Sequence, residues 1–288
     1  MQAGGAGASA CNRRFTPSAE YMISTKAADI SGRDFYAGHY QHHLARQAEW
    51  LEYGAIEKTN SISQFIQRNR IAPRSLLELG CGTGAVILEC ERRGLALKFT
   101  AVDYSREAIE YLKSRAPTIH CLTADITDAG FLLEDRFDVI VLSHVLEHLE
   151  EPLQFLRAVR ERFRFKYLIV EVPLEDLWIA RVKSWFVDRK QHAAGHVQFF
   201  TGTAFHRLLR SAGFKIVDRR RFVPRMSPES IRFACENDKC SKLRTAYKLC
   251  TACYLPRLLG PIWKQVWYAH HAVLCAVDPK FPVSGDHK

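Results

Sequence analysis

No run in the 288-residue chain is both long and uncharged enough to cross a bilayer, so no membrane-spanning helix is expected within it. Residues Met1 to Ala10 are rich in Gly and Ala and lack the apolar centre of a signal peptide; residues 1–30 are read as a flexible leader, and the protein is expected in the cytoplasm. A disulfide framework is missing too. The nine cysteines are odd in number, and Cys90, Cys121 and Cys275 fall inside predicted strands or helices, the pattern of reduced, buried thiols. The chain has no zinc ribbon, no RNA-binding sheet signature and no long basic tail, so its net charge of +10 is not read as a nucleic-acid footprint. Cations between Arg157 and Lys166 are interrupted by Ala158, Val159 and Phe163, as on an amphipathic helix with a solvated face.

What the chain does have is a sharp stop. Leu76 to Gly84 read Leu-Leu-Glu-Leu-Gly-Cys-Gly-Thr-Gly, an apolar run ending in a turn whose glycines let the backbone approach a ligand closely. A helical pattern follows from Ala85 to Arg93, giving strand, glycine turn and helix, the mouth of a nucleotide-type site in an α/β sheet. Gly80, Gly82 and Ala85 also fit the loose dinucleotide fingerprint, so the glycines alone leave a nicotinamide-dependent reductase open. Glu78 argues otherwise: its charge would face a pyrophosphate but would welcome the amino group of S-adenosylmethionine. Nineteen residues beyond Gly84, an apolar run ends at Asp103, where a carboxylate can accept ribose hydroxyls. A further strand leads to Asp125 and Ile126, and Phe137 to Leu142 deliver Ser143, His144, Glu147 and His148 to the same sheet edge.

On the motifs Glu78 to Gly84, Val102-Asp103, Ala124-Asp125-Ile126 and Phe137 to Ile140, the chain resembles the class I (seven-strand, Rossmann-like) S-adenosylmethionine-dependent methyltransferases of small-molecule type. Gly195-His196-Val197-Gln198-Phe199-Phe200-Thr201 resembles a later segment common in that family; the likeness spans residues 70 to 222. It implies an α/β fold with a doubly wound, mostly parallel seven-stranded sheet and S-adenosyl-L-methionine as cofactor. Glu78 and the backbone of Gly80, Cys81, Gly82 and Gly84 would hold the methionine moiety, Asp103 the ribose, and Asp125 with Ile126 the adenine; Tyr104 and Ser143 adjoin them. The domain reading is N-terminal lid helices over 31–72, the cofactor-binding core over 73–229, a helical insertion over 230–269, and a closing strand and tail over 270–288.

The expected reaction is methyl transfer to a small-molecule acceptor, a hydroxyl oxygen first, nitrogen or carbon as alternatives; a non-catalytic cofactor-binding subunit is another. His144 and His196 are the candidate bases, because a neutral imidazole can take a hydroxyl proton near neutral pH. Tyr36 and Tyr40 on the lid, with His148, are candidate acceptor contacts. His144-x-x-Glu147-His148 has the spacing of an inverted zinc-protease motif but follows a strand, and no metal is expected. A four-cysteine zinc site at Cys235, Cys240, Cys250 and Cys253 is judged less fitting than small apolar core thiols. The insertion mixes basic residues with Tyr254, Trp263, Trp267 and Tyr268, which would suit an acceptor cover or peripheral contact with a membrane.

Overall fold

The structure is a computed structural model that describes residues 32–174, 196–223, 227–237, 239–266 and 269–280. Apolar runs too short for helices and hydrophobic on both sides form the strands of a parallel sheet, which needs cover on both faces. They are β1 (Ser75–Leu79), β2 (Lys98–Asp103), β3 (His120–Thr123), β4 (Arg136–Ser143) and β5 (Arg164–Leu174), all mutually parallel. The later strands are β6 (Phe214–Phe222) and β7 (Ala269–Val277); β7 runs antiparallel between β5 and β6. The order β3-β2-β1-β4-β5-β7-β6 is the seven-stranded, doubly wound sheet implied by the sequence.

Alternation along the strands sorts the core into two layers. On one face α1 (Gly32–Arg68), α2 (Ala85–Arg92) and α3 (Arg106–Arg115) bury Phe65, Ile87 and Leu112 against Val139, Val141 and Leu274. On the other, α4 (Pro152–Arg162) and α5 (Gly202–Ser211) bury Leu156, Val159, Phe205 and Leu209 against Ile140, Leu168 and Val273. Fully burying one such side chain stabilises the fold by about 1.5–3 kcal/mol. The outer strand β6 alternates exposed Lys215, Arg219 and Arg221 with its inward residues, a charged edge that discourages further strand pairing.

Two features differ from the sequence reading in detail. The expected lid helices are one continuous helix of 37 residues. Arg220 of β6 ties it down, donating to the Glu57 carboxylate at 2.9 Å, the Glu57 carbonyl at 3.0 Å and Ser61 Oγ at 2.7 Å. The insertion comprises α6 (Pro228–Asn237), α7 (Lys242–Leu249), a π-helical turn (Cys250–Tyr254) and α8 (Leu255–Val266), kinked at Gly260. Cys235 and Cys253 pack with Ile231 in its small core, with Cys240 against them, while Cys250 is exposed. The leader and the residues Trp267 and Tyr268 lie outside the described residues, as do the side chains of Tyr36, Tyr40 and Trp263.

The glycine turn is held from behind as well as from the ligand side. Gly84 caps α2 at φ 81°, and a Cβ there would come within 2.4 Å of Leu112 Cδ1 on α3. Left-handed backbone and overpacking both penalise a side chain. Gly84→Ala is therefore expected to lower stability by about 2 kcal/mol, measured as a shift in the urea midpoint at constant slope.

Candidate active site

The connections from β1 and β4 leave in opposite directions, so a crevice opens beyond their carboxyl ends, where ligands bind in open α/β sheets. A cavity of about 530 Å³ lies there. Its walls include Glu78, Gly80, Cys81 and Gly82 from the turn, Asp103 and Tyr104 after β2, Asp125 and Ile126 after β3, and Ser143, His144 and His148 after β4. The strand tips thus bring these predicted residues to one place. Gly84 stands behind them as the α2 cap, and His196 reaches the site through His148 rather than lining the cavity.

The turn is built around Asp103. Its Oδ2 accepts from the Gly82 amide at 2.7 Å and its Oδ1 from the Ser105 amide at 2.9 Å, so the residue read as a ribose ligand also fixes the loop. Burial raises its pKa above the ordinary range against the pull of these amides. Glu78 is buried, its Oε2 has no hydrogen-bond partner, and burial pushes its pKa up to about 8, with Lys58 and the Ile87 amide opposing and Asp103 adding. Ser143 Oγ is likewise buried without a partner. Orphaned polar atoms beside a cavity are sites a ligand satisfies. A carboxyl group beside Gly80, where a Cβ would come within 2.7 Å of Val145 Cγ2, can ionise against the ammonium of an amino-acid-bearing nucleoside and, once ionised, does not suit a pyrophosphate.

Histidines dominate the β4 end. His144 adopts φ 59°, left-handed for a residue with a side chain, and its amide donates to the Glu171 carbonyl at 3.0 Å. Its Nδ1 lies 2.9 Å from Glu147 Oε1, close enough for an ion pair although not aligned as a hydrogen bond. Its Nε2 lies 3.3 Å from Glu171 Oε1 and 3.1 Å from His270 Nδ1. Burial and Lys58 oppose the His144 cation, yet Glu147 and Glu171 outweigh them and its pKa is raised. Burial alone would raise both carboxylates, but the histidines hold Glu147 down at about 2 and depress Glu171 further. His270 goes the other way, to about 4, through burial and the His144 charge. The carboxylate forms of Glu147 and Glu171 and the neutral form of His270 are favoured, and the cation of His144 is favoured over that of an ordinary imidazole.

This arrangement weighs against His144 as the neutral base expected from the sequence, because it favours the cation. Both its ring nitrogens face buried carboxylates. The histidines nearer to that role are His148 and His196, whose rings meet edge to face with centroids 4.9 Å apart. The Val197 and Gln198 amides donate to the Glu147 carbonyl at 2.8 and 3.0 Å, which brings the 196–198 segment to the turn after β4. His144 and His148 do not act as one zinc-type pair. They belong to separate groups, His144 with Glu171 and His270, His148 with Glu147 and His196, each with ligand atoms within 4.8 Å of one another. Either nitrogen and oxygen donor set could hold a cation such as zinc. Sequence reasoning missed Glu171, His270 and Lys58. The available signals were a carboxylate inside an apolar strand, a histidine pair opening another, and a lysine in the buried stripe Leu51, Ala55, Ile62, Phe65.

Fold and site together define a class I S-adenosylmethionine-dependent methyltransferase, the class whose cofactor is S-adenosylmethionine. The chain belongs to the family described as a methyltransferase domain, whose model matches residues 40–219. It is 33% identical over 123 residues to the mitochondrial ubiquinone biosynthesis O-methyltransferase of Schizosaccharomyces pombe, covering 41% of this chain and 44% of that one. It is 32% identical over 103 residues to (S)-coclaurine N-methyltransferase of Papaver somniferum, covering 34% of this chain and 29% of that one. The chain thus spans less than half the length of these relatives. Among solved structures, plantazolicin methyltransferase BpumL, in complex with a monoazolic desmethylPZN analog and SAH, has the same fold. Its TM-score is 0.53 at 16% identity, over 85% of this chain and 95% of that one.

Glu78 supplies a sharp test. Free, it is largely protonated below about pH 8, whereas pairing with an ammonium group requires the carboxylate. Binding S-adenosylmethionine near pH 7 is therefore expected to release a proton, and affinity to rise with pH up to about 8. Calorimetry in buffers of different ionisation enthalpy measures the release, and Glu78→Gln should abolish it. Asp103→Ala should weaken cofactor binding by about 1.5–3 kcal/mol in the same titration.

Proposed function

We propose that the protein transfers a methyl group from S-adenosylmethionine to a small-molecule acceptor, with a hydroxyl oxygen as the preferred acceptor atom. The observation that carries this is one cavity holding both a buried carboxylate with one unpartnered oxygen, Glu78 Oε2, and a histidine of a pair backed by the ionised Glu147. When bound, the cofactor supplies an electrophilic methyl on a sulfonium centre. Glu78, Asp103 and Asp125 hold its amino, ribose and adenine portions, and the glycine turn admits its backbone-facing edge. Alignment of donor and acceptor then accounts for much of the acceleration.

The acceptor must give up a proton, and His148 with His196 receives it. Glu147, fully buried and anionic, stabilises the resulting imidazolium. His144 does not touch the acceptor in this reading. It neutralises Glu147 and Glu171 so that both stay charged out of water, and with them fixes the turn that carries His148. Lys58 from α1 brings a further positive charge to the same wall.

The three histidines should separate by assay. His148→Ala and His196→Ala are each expected to lower kcat by about a hundredfold or more while changing cofactor affinity by less than about twofold. His144→Ala instead leaves two buried carboxylates without their countercharge, and should cost about 3–5 kcal/mol of stability in chemical denaturation. Full activity of both His148 and His196 variants would remove the base from the mechanism. Incubation with methyl-labelled S-adenosylmethionine and fractionated metabolites, followed by mass spectrometry of the labelled product, identifies acceptor and atom together; no labelled product from any fraction would count against turnover.

A further inference from the structure

The insertion between β6 and β7 shows water a face that a soluble cover would hide. Leu243, Tyr247, Tyr254 and Leu258 recur at steps of four, seven and four residues from α7 through the π-helical turn into α8, and Ile262 follows beyond the kink at Gly260. All five are exposed, Leu243 to 83% and Leu258 to 80%. The opposite side is occupied, since Cys253, Leu249 and Ala252 pack on Ile231 and Cys235 of α6. The charge is one-sided as well. From Lys239 to Val277 there is no Asp or Glu, while Lys239, Lys242, Arg244 and Arg257 are exposed around the apolar row. None of the helices among the described residues is long and apolar enough to cross a membrane.

We infer that this face of α7 and α8 docks on the surface of a bilayer containing anionic phospholipid, the apolar row entering the headgroup boundary and the flanking cations meeting phosphate. An apolar stripe bordered by Lys and Arg on helices that carry no acid is the pattern of helices that lie in the interface plane, and the exposed Glu229 of α6 lies near Arg257 beside it. A second protein would need acidic groups ringing an apolar groove, whereas an anionic leaflet offers both features over any area. The placement fits delivery of an acceptor. β6 ends and β7 begins at the carboxyl edge of the sheet, the edge on which the cofactor cavity opens, so the docked face and the active site share one end of the molecule. Tyr53 of α1 meets Phe233 of α6 with ring centroids 6.0 Å apart, which ties the insertion to the helix that sends Leu51 and Lys58 into the cavity. The inference goes beyond the methyl-transfer reading and stands without it, because binding to lipid requires no turnover.

The test is flotation of the full chain with vesicles of phosphatidylcholine alone or of phosphatidylcholine with phosphatidylglycerol. The wild type should float with the anionic vesicles, and high salt should weaken the association. Leu243→Asp with Leu258→Asp should cut the bound fraction at least about tenfold. Neither residue lies in the core, so circular dichroism and cofactor calorimetry should be unchanged. Lys242→Gln with Arg244→Gln and Arg257→Gln should reduce anionic binding while leaving any weak association with neutral vesicles. Equal flotation of the wild type and the Leu243→Asp, Leu258→Asp variant would overturn the proposal, and so would no flotation at all. Self-association of the wild type in analytical ultracentrifugation, abolished by the same two substitutions and without vesicle binding, would assign the face to a second copy and overturn it too. Failure here with cofactor binding intact leaves the methyl-transfer reading untouched.

Discussion

A buried carboxyl group with an oxygen left unpaired is one of the costliest things a fold can keep, and the ligand end of this sheet is organised around one. Glu78 is sealed at the tip of β1, next to a turn that Asp103 clamps by two amide hydrogen bonds. Desolvation pushes its proton affinity up, and the protein supplies only Lys58 and one amide in return. Such a group persists where something else completes it. An ammonium on a nucleoside does so, and the rest of the cavity, from Asp103 to Asp125, is spaced to hold the remainder of that molecule. The charge deficit at one residue thus selects the ligand more strongly than the glycines beside it.

The histidine end solves the opposite problem. Two carboxylates and two imidazoles sit within hydrogen-bond or ion-pair distance in a buried wall, where both carboxylates lie against His144 and His270 is favoured in its neutral form. Between those carboxylates His144 is favoured as a cation, and Glu147 meets His148 and His196 as an anion. A network of this kind has consequences at low pH. Glu147 and Glu171 titrate below their ordinary range, so the stability they contribute is present above about pH 4.5 and is lost as pH falls towards 2. His270, depressed to about 4, adds to the same loss once pH drops below its unfolded value near 6.5.

Much of this was readable before the structure because it is local. β1, β2 and β4 are near-continuous apolar runs that each stop at a polar residue, and a parallel sheet puts such stops side by side whatever the details of its connections. Glu78, Asp103, Asp125 and His144 were found that way. What escaped was non-local or conformational. Glu171 and His270 are 99 residues apart and meet because β7 inserts antiparallel beside β5, a pairing that no spacing in the chain announces. The left-handed turn at His144, which aims its ring at two carboxylates, leaves no mark in residue type, since histidine is neither glycine nor asparagine. Lys58 sat in plain view as a cation within a buried stripe, but a single helical period does not say which neighbour that stripe will meet.

The strand β7 carries His270 and His271 in succession, and alternation sends them to opposite faces: His270 to Glu171 and His144, His271 to His206 at 2.8 Å. Hydrophobic neighbours obey the same parity, with Ala272 and Leu274 in one core layer and Val273 and Cys275 in the other. A slip of one residue would put every one of them on the wrong side. The ladder therefore indexes the acid–base wall independently of what precedes it. The registry of that wall thus rests on the parity of β7 itself and not on the length of the helical segment that leads into it.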